Sequence, residues 1–345
     1  MLRLRERIGF HNPRSDVRQI GSRRPSESAG VAWTTSRDSR LRSGRRWCED
    51  EMQEWKAVRA RALGTFAAAL LVANLVAGCT TIRPAELSGG QIVARRPFSH
   101  EEYAPVLRSV IGAGGRVDYD ALRARPEALE RYYFLLCKYS PDSHPEFFPT
   151  ELDRKAYWLN AYNAVVLKTV LAHDSVSSVT DIKPWFPLSL LPGTSGFFLF
   201  QKVTLGGKTT NLYFLKNRVI RKRFGDPRVH FALSSASLGG PRLPRKPFVA
   251  ALLDEQLDEA ARAFVAEERN VKVDDAERVV YLSPIFDWYG GDFIEWYGDR
   301  FTGKEPTLPR YVALYASDGQ AEALERAAAY EVRFRAYDWR LDGHY

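Results

Sequence analysis

Two carboxamides three residues apart, Asn160 and Asn163, stand on the otherwise apolar face of what reads as one long helix. Residues at that spacing share a helix face, and a primary amide buried without partners costs on the order of 1–3 kcal/mol. Something elsewhere in the chain must receive their hydrogen bonds. The expected receiver is Pro227 to Ser235, PRVHFALSS, which reads as a strand from Val229 to Ser234 and carries His230. The other histidines, His11, His100, His144, His173 and His344, lack ligand spacing, and no His-x-x-x-His or cysteine pair offers a zinc site. No metal and no cofactor is expected.

Two chemistries are open to His230. It is a general base if a nucleophile lies within about 3 Å, and Ser235 is the tempting partner. Alternatively it is a buried ring tied to Asn160 or Asn163, as most buried polar groups are structural ties. Strand geometry favours the second, because Ser234 would lie roughly 13 Å along the same face and Ser235 would point to the other. A second constellation is Gly239-Gly240-Pro241-Arg242, followed by Arg245 and Lys246. Consecutive N–H groups of a glycine turn can cradle an anion, and the plain alternative is a solvated turn. If the site is catalytic, His230 and Ser235 are the expected catalytic residues. Asn160, Asn163, Arg228, Gly239, Gly240 and Arg242 are the expected ligand-binding ones.

The elements that position these residues are legible. From Glu151 to His173 there is neither Gly nor Pro, and Thr150 with Asp153 forms a capping box. Leu152, Ala156, Leu159, Val166 and Val170 recur at helical spacing and are expected to face a core. Ser99 opens an earlier helix and Pro126 a second. A strand-like stretch runs from Phe198 to Leu205 and closes at Gly206-Gly207. Asn211 caps a helix ending in Arg218, Arg221, Lys222 and Arg223, cations that complement the helix dipole. Pro247 to Glu268 is amphipathic, Val271 to Leu282 a small hairpin, and Glu331 to Tyr337 a last strand. Helices and strands do not alternate one for one, so the expected fold is a single α+β domain, helices on a mainly antiparallel sheet, over 99–345.

Charge and cysteines place the chain. The formal net charge is +8, but residues 1–51 carry 12 Arg and 7 acidic residues and residues 52–78 a net +2, leaving +1 from Cys79 onward. Nucleic-acid binding is unsupported. Residues 52–78 have a basic start, an apolar run from Leu63 to Gly78 and small residues before a cysteine, the layout of a secretory signal. The ending Val76-Ala77-Gly78-Cys79 resembles the bacterial lipobox, so Cys79 is expected to be acylated, as by palmitate. Residues 1–51 then read as a mis-assigned start or disordered leader, and 79–98 as a polar tether. No Asp follows Cys79, so the expected location is the periplasmic face of the outer membrane. Cys137 is left alone, without a disulfide partner.

Several segments together resemble the bacterial and plant domain-of-unknown-function family 547. They are Tyr157-Trp158-Leu159-Asn160-Ala161-Tyr162-Asn163-Ala164, Pro227 to Leu233, Leu282-Ser283 through Trp288-Tyr289 to Asp292-Phe293, and Tyr337-Asp338-Trp339. The resemblance spans roughly residues 100 to 340 and implies an extracytoplasmic, often lipid-anchored domain with no established reaction. Many members carry cysteines where this chain has Ser235 and Gly240, and Glu followed by His or Asn where it has Lys216-Asn217. The leading expectation is a lipid-anchored, periplasm-facing protein binding a small-molecule or envelope ligand in a cleft between the Asn160/Asn163 helix and the His230 strand. The alternative is a hydrolase of papain- or transglutaminase-like layout acting on a peptide, cell-wall or ester substrate. A third is a partner-binding module using the Trp185–Phe186 loop.

Overall fold

The computed structural model describes residues 80–84, 93–112, 114–184, 188–191 and 193–343. The expected leader, the signal segment, Cys79 and the Trp185–Phe186 loop lie outside these residues. The chain enters through a short strand, β1 (Thr80–Thr81), followed by α1 (Tyr103–Val110), α2 (Tyr119–Ala124) and α3 (Glu127–Lys138). The stretch expected to be a tether therefore joins the fold at once. Thr80 and Thr81 pair in parallel with Gln201 and Lys202, and Ile82 is buried behind them.

Next comes α4 (Glu151–Leu171), the helix carrying the two asparagines. Thr150 Oγ1 accepts from the Asp153 N–H at 3.1 Å while the Asp153 carboxylate accepts from the Thr150 N–H at 3.0 Å, closing the capping box. Every residue from Lys155 to Leu167 is buried, so α4 is a core helix packed on all sides rather than an amphipathic surface one. Leu152, expected to face inward, lies in the first turn and is exposed.

After α5 (Ser195–Phe198) come β2 (Gln201–Leu205) and β3 (Lys208–Thr210), joined through Gly206 and Gly207, both at positive φ. A continuous helical rod follows, made of α6 (Leu212–Phe214), a π-helical stretch Leu215–Ile220 and α7 (Arg221–Phe224). Asn211 caps it, and Gly225 ends it in the left-handed conformation. Then come α8 (Val229–Ala232), α9 (Leu253–Val265), β4 (Val271–Asp274), β5 (Val279–Leu282), α10 (Pro284–Trp288), α11 (Gly290–Arg300), α12 (Leu308–Ala313), α13 (Asp318–Arg326) and β6 (Glu331–Phe334). Among these residues the sheets are two, small and mixed: β2 pairs β1 in parallel and β3 antiparallel, and β5 pairs β4 antiparallel and β6 in parallel. The fold is α+β in a single domain. Among the described residues no helix is long and apolar enough to cross a membrane.

The segment around His230 departs from expectation. Val229 to Ser234 is not a strand; Val229–Ala232 form a helical turn. Asp226 and Pro227 set it up, the carboxylate accepting from the Arg228 N–H at 3.0 Å and the Asp226 and Pro227 carbonyls accepting from Val229 and His230. The hydrophobic clusters explain why it stays. Val229 and Ala232, three apart, pack into the cluster around α4, while Phe231 packs into the cluster of β4, β5, α10 and α11. Over four residues, alternation and helical spacing cannot be told apart by pattern alone.

Candidate functional site

The carboxamides of α4 both find main-chain partners, but not the same one. Asn163 clamps the end of the His230 turn, its Nδ2 donating to Ala232 O at 2.9 Å and its Oδ1 accepting from the Ser234 N–H at 3.0 Å. Asn160 makes the same double contact with Phe248, at 2.7 and 2.9 Å. The expected receiver thus takes one amide and a segment beyond it takes the other. Each amide mimics a strand partner for a piece of chain that has no strand, satisfying groups that would otherwise be orphaned.

His230 is fully buried and bonded to neither asparagine. Its Nε2 lies 2.8 Å from Asp292 on α11, its ring stacks on Tyr289 with centroids 3.9 Å apart, and Phe293 meets it edge-on. Asp292 also takes both arms of Arg221, at 2.5 and 2.7 Å. Burial of the carboxylate is outweighed by the bonds from His230 and Arg221, so its pKa falls to about 2. The imidazole goes the other way. Burial, with help from Lys216 and Arg221, draws His230 down to about 4 against the pull of Asp292. At neutral pH the ring is therefore uncharged and donates its Nε2 proton to an ionised Asp292, whose charge Arg221 balances. Lys216, on the π-helical stretch, holds its ammonium 4.6 Å above the Tyr289 ring, and burial followed by the nearby Arg221 lowers it to about 7. Extra residues in a helical turn often accompany functional positions; this one turns Lys216 and Arg221 toward the same aromatic ring.

Ser235 does not join His230. Its Oγ sits 2.7 Å from both Ser237 Oγ and Tyr337 Oη. Beyond it the chain pairs with the C-terminal segment: Leu238 N–H donates to Arg340 O, Gly239 N–H to Asp338 O, and Asp342 N–H to Ala236 O. The expected anion cradle is thereby filled from within, since Gly239 N–H is used by Asp338 and Gly240 N–H by Ser237 O. The glycines are there for close approach. A Cβ on Gly239 would lie 2.8 Å from the Asp338 nitrogen, and one on Gly240 would lie 2.2 Å from Ser235 Oγ.

That closeness joins the two positions at which the resemblance implies cysteines. The double variant Ser235→Cys, Gly240→Cys is expected to close a disulfide on air oxidation, because a Cβ at Gly240 falls against the Ser235 side chain and a covalent S–S bond relieves a contact that two separate side chains could not make. Non-reducing peptide mapping checks this: a 235–240 cross-linked peptide is the expected product, and two free thiols after oxidation speak against it.

Gly239, Gly240 and Arg242 line a cleft of about 530 Å³ with Tyr337. Arg116, Arg242, Arg269 and Arg340 enter it, and so do Glu267, Glu268, Asp338 and Asp342. Glu267 holds Arg242 at 2.5 Å and also bonds Arg269, whose guanidinium reaches the carbonyls of Leu238 and Gly240. Burial pushes the Asp342 carboxyl up to about 6. A second cleft, of about 400 Å³, lies between the start of α4 and Pro247–Ala250 beside His100. Neither is lined by Asn160, Asn163 or His230.

Arg228 is also committed elsewhere. It meets Asp226 at 2.8 Å, Asp254 at 2.8 Å and Asp258 at 2.6 Å, while Lys155 of α4 reaches Asp226 at 2.5 Å. This network ties α4, α8 and α9 together. What sequence reasoning missed is the ring of groups around His230. Asp292 and Tyr289 stand within a segment that carries the family resemblance, Lys216 stands at a departure from it, and Arg221 has a sufficient local explanation in the helix dipole. Among the described residues no group of three His, Cys, Asp or Glu could hold a metal ion.

The fold and these centres define an α+β domain with a closed polar network at its heart and a mixed-charge cleft at one side. Residues 149–265 match the model of a family described as protein of unknown function, DUF547. The chain thus carries a DUF547 domain, and the matched span holds α4, the π-helical stretch, the His230 turn and α9. No curated protein and no solved structure matches the chain.

Proposed function

We propose that the protein is a lipid-anchored, periplasm-facing member of this family that binds a small mixed-charge ligand in the cleft lined by Gly239, Gly240 and Arg242. The observation that carries this reading is the cleft lining, in which four arginines and four carboxylates converge on about 530 Å³ beside Tyr337. Such convergence of a few charged groups on a concavity suits a ligand bearing both signs of charge. Anchoring rests on the signal-like 52–78 and the lipobox-like ending at Cys79. In this reading Asn160 and Asn163 are structural ties of the scaffold and do not touch the ligand.

Hydrolysis is not favoured. A general base needs an exposed nitrogen and a nucleophile beside it, whereas His230 is enclosed, gives Nε2 to Asp292 and lies under Tyr289. The hydroxyl of Ser235 is held by Ser237 and Tyr337.

Thermal-shift screening of a Cys79→Ser protein against envelope metabolites tests the binding reading. A zwitterionic hit is expected to raise Tm by several degrees, and Arg340→Ala, an exposed substitution, is expected to weaken that hit about tenfold, a loss of about 1.4 kcal/mol. A hit that survives both Arg340→Ala and Arg116→Ala unchanged places the ligand elsewhere.

A further inference from the structure

The first described residues carry a consequence for how such a protein meets a membrane. Thr80 and Thr81 pair with Gln201 and Lys202. The Ile82 N–H donates to Lys202 O at 2.8 Å, its carbonyl accepts from Tyr133 Oη of α3 at 2.9 Å, and its side chain is buried. Cys79 precedes Thr80 by one peptide bond, and consecutive Cα atoms are about 3.8 Å apart. An acyl group on Cys79 would have no leash.

The sheet beside that point has a distinct composition. Its segments read TTIRP, QKVTL and KTT, and the register sets Thr81, Lys202, Thr204 and Thr209 on one face, which Arg83 continues two residues beyond Thr81, while Lys208, opposite Leu205, belongs to the other. Arg83 and Thr209 are exposed, and Lys202 is half-buried. Basic residues near a bilayer are attracted by anionic headgroups.

We infer that the β1–β2–β3 sheet is a membrane-docking face, held flat against anionic phospholipid headgroups because the lipid-bearing residue passes directly into β1. This rests on the acylation of Cys79 in the reading above. It adds to that reading a fixed orientation: the domain does not swing on a tether.

The test uses the full chain produced with its own leader, with Cys48→Ser and Cys137→Ser so that a fluorophore can be placed on Thr209→Cys, an exposed position of β3. The membrane-extracted protein is reconstituted into phosphatidylcholine vesicles carrying a headgroup quencher. Strong quenching is expected. An insertion of about 30 Gly/Ser residues between Cys79 and Thr80, with a coil dimension of roughly 30 Å, is expected to reduce quenching several-fold. Ile82→Asn, which unseats β1 while sparing the sheet's charges, is expected to reduce it too. Adding phosphatidylglycerol to the vesicles is expected to restore quenching of the inserted variant. Equal quenching with and without the insertion, on acylated protein, overturns the fixed orientation. No response to phosphatidylglycerol overturns the fit to anionic lipid. The mass of the N-terminal peptide separates the two levels: an unmodified Cys79 removes the anchor itself and the docking face with it, whereas an acylated Cys79 leaves the anchor standing whatever the fluorescence reads.

Discussion

Asn163→Ala is expected to lower the unfolding free energy by about 4 kcal/mol, taking about 1–3 kcal/mol for each buried group left without a partner. The amide holds two main-chain groups, Ala232 O and Ser234 N–H, in a region closed to water. Removing it orphans both and opens a small void. Asn160→Ala is expected to cost about as much through Phe248. The receivers are different segments, but the two positions are neighbours on one helix face, so a double-mutant cycle is expected to show a coupling of about 0.5 kcal/mol or more. The two losses together are comparable to the whole stability of a typical domain, about 5–15 kcal/mol, and the double variant should not give a cooperative urea transition at 37 °C. Asn163→Asp separates the two bonds. Its carboxylate still accepts from Ser234 N–H but cannot donate to Ala232 O, so a larger loss than for alanine above pH 6 is expected, diminishing in acid. An Asn163→Ala protein with unchanged urea midpoint would mean that the clamp contributes nothing.

Acid is the second large effect. His230 and His100 both titrate near 4 in the folded chain rather than at the ordinary 6.5, chiefly because burial disfavours their charged forms. The unfolded chain binds those protons first, so stability falls as pH drops from about 6.5 toward 4. At pH 4.5 each histidine is expected to have withdrawn about 3 kcal/mol. Asp342 acts in the opposite direction. Its folded pKa is raised to about 6, so the folded state holds a proton that the unfolded state gives up, and stability rises as pH falls from 6 toward 4. That returns about 2 kcal/mol at pH 4.5. The net expected loss between pH 7 and 4.5 is therefore about 3–4 kcal/mol. Asp292, already ionised to about pH 2, contributes no change in this window. Urea titrations at the two pH values measure the loss directly. His100→Gln should remove roughly half of the histidine contribution, and Asp342→Asn should raise stability at pH 7 while deepening the acid loss. A stability that is flat from pH 7 to 4.5 in all three proteins is incompatible with neutral buried histidines.

These two expectations divide the molecule into a scaffold and a surface. The scaffold is α4 with its asparagines, the His230 turn that Asn163 clamps, and the Asp292–Arg221 pair that holds the ring. The asparagines of α4 are legible in the sequence, because an amide on an apolar helical stripe is a local anomaly visible at i and i+3. His230 reads as strand where the chain forms a turn, since four residues carry too little periodicity to separate period 2 from period 3.6. The conspicuous polar residues near it in the sequence are those of α4. The real partner stands on α11, sixty-two positions along, and its companion Arg221 on a rod whose cations had an adequate local explanation.

The surface reading moved further. Gly239 and Gly240 looked like an anion cradle because consecutive glycines free their N–H groups to point outward. The C-terminal segment occupies those groups, and the glycines are needed because Asp338 and Ser235 come too close for a side chain. Arg242 kept its place at the edge of a cleft, while Arg228 was drawn into a buried ion network with Asp226.

The sequence by itself determined the pieces whose signals are local: α4 with its capping box, the turn at Gly206-Gly207, the Asn211 cap, the β4–β5 hairpin, and the α+β class that follows from their order. Caps, turns and amphipathic stripes act over a few residues, so their physics is written where they occur. Only the tertiary structure decided which main chain each asparagine grips, that Asp292 answers His230, and that β1 joins β2 directly behind Cys79. Those choices depend on which buried groups arrive at hydrogen-bond distance once the hydrophobic clusters have closed, and no spacing along the chain encodes that arrival.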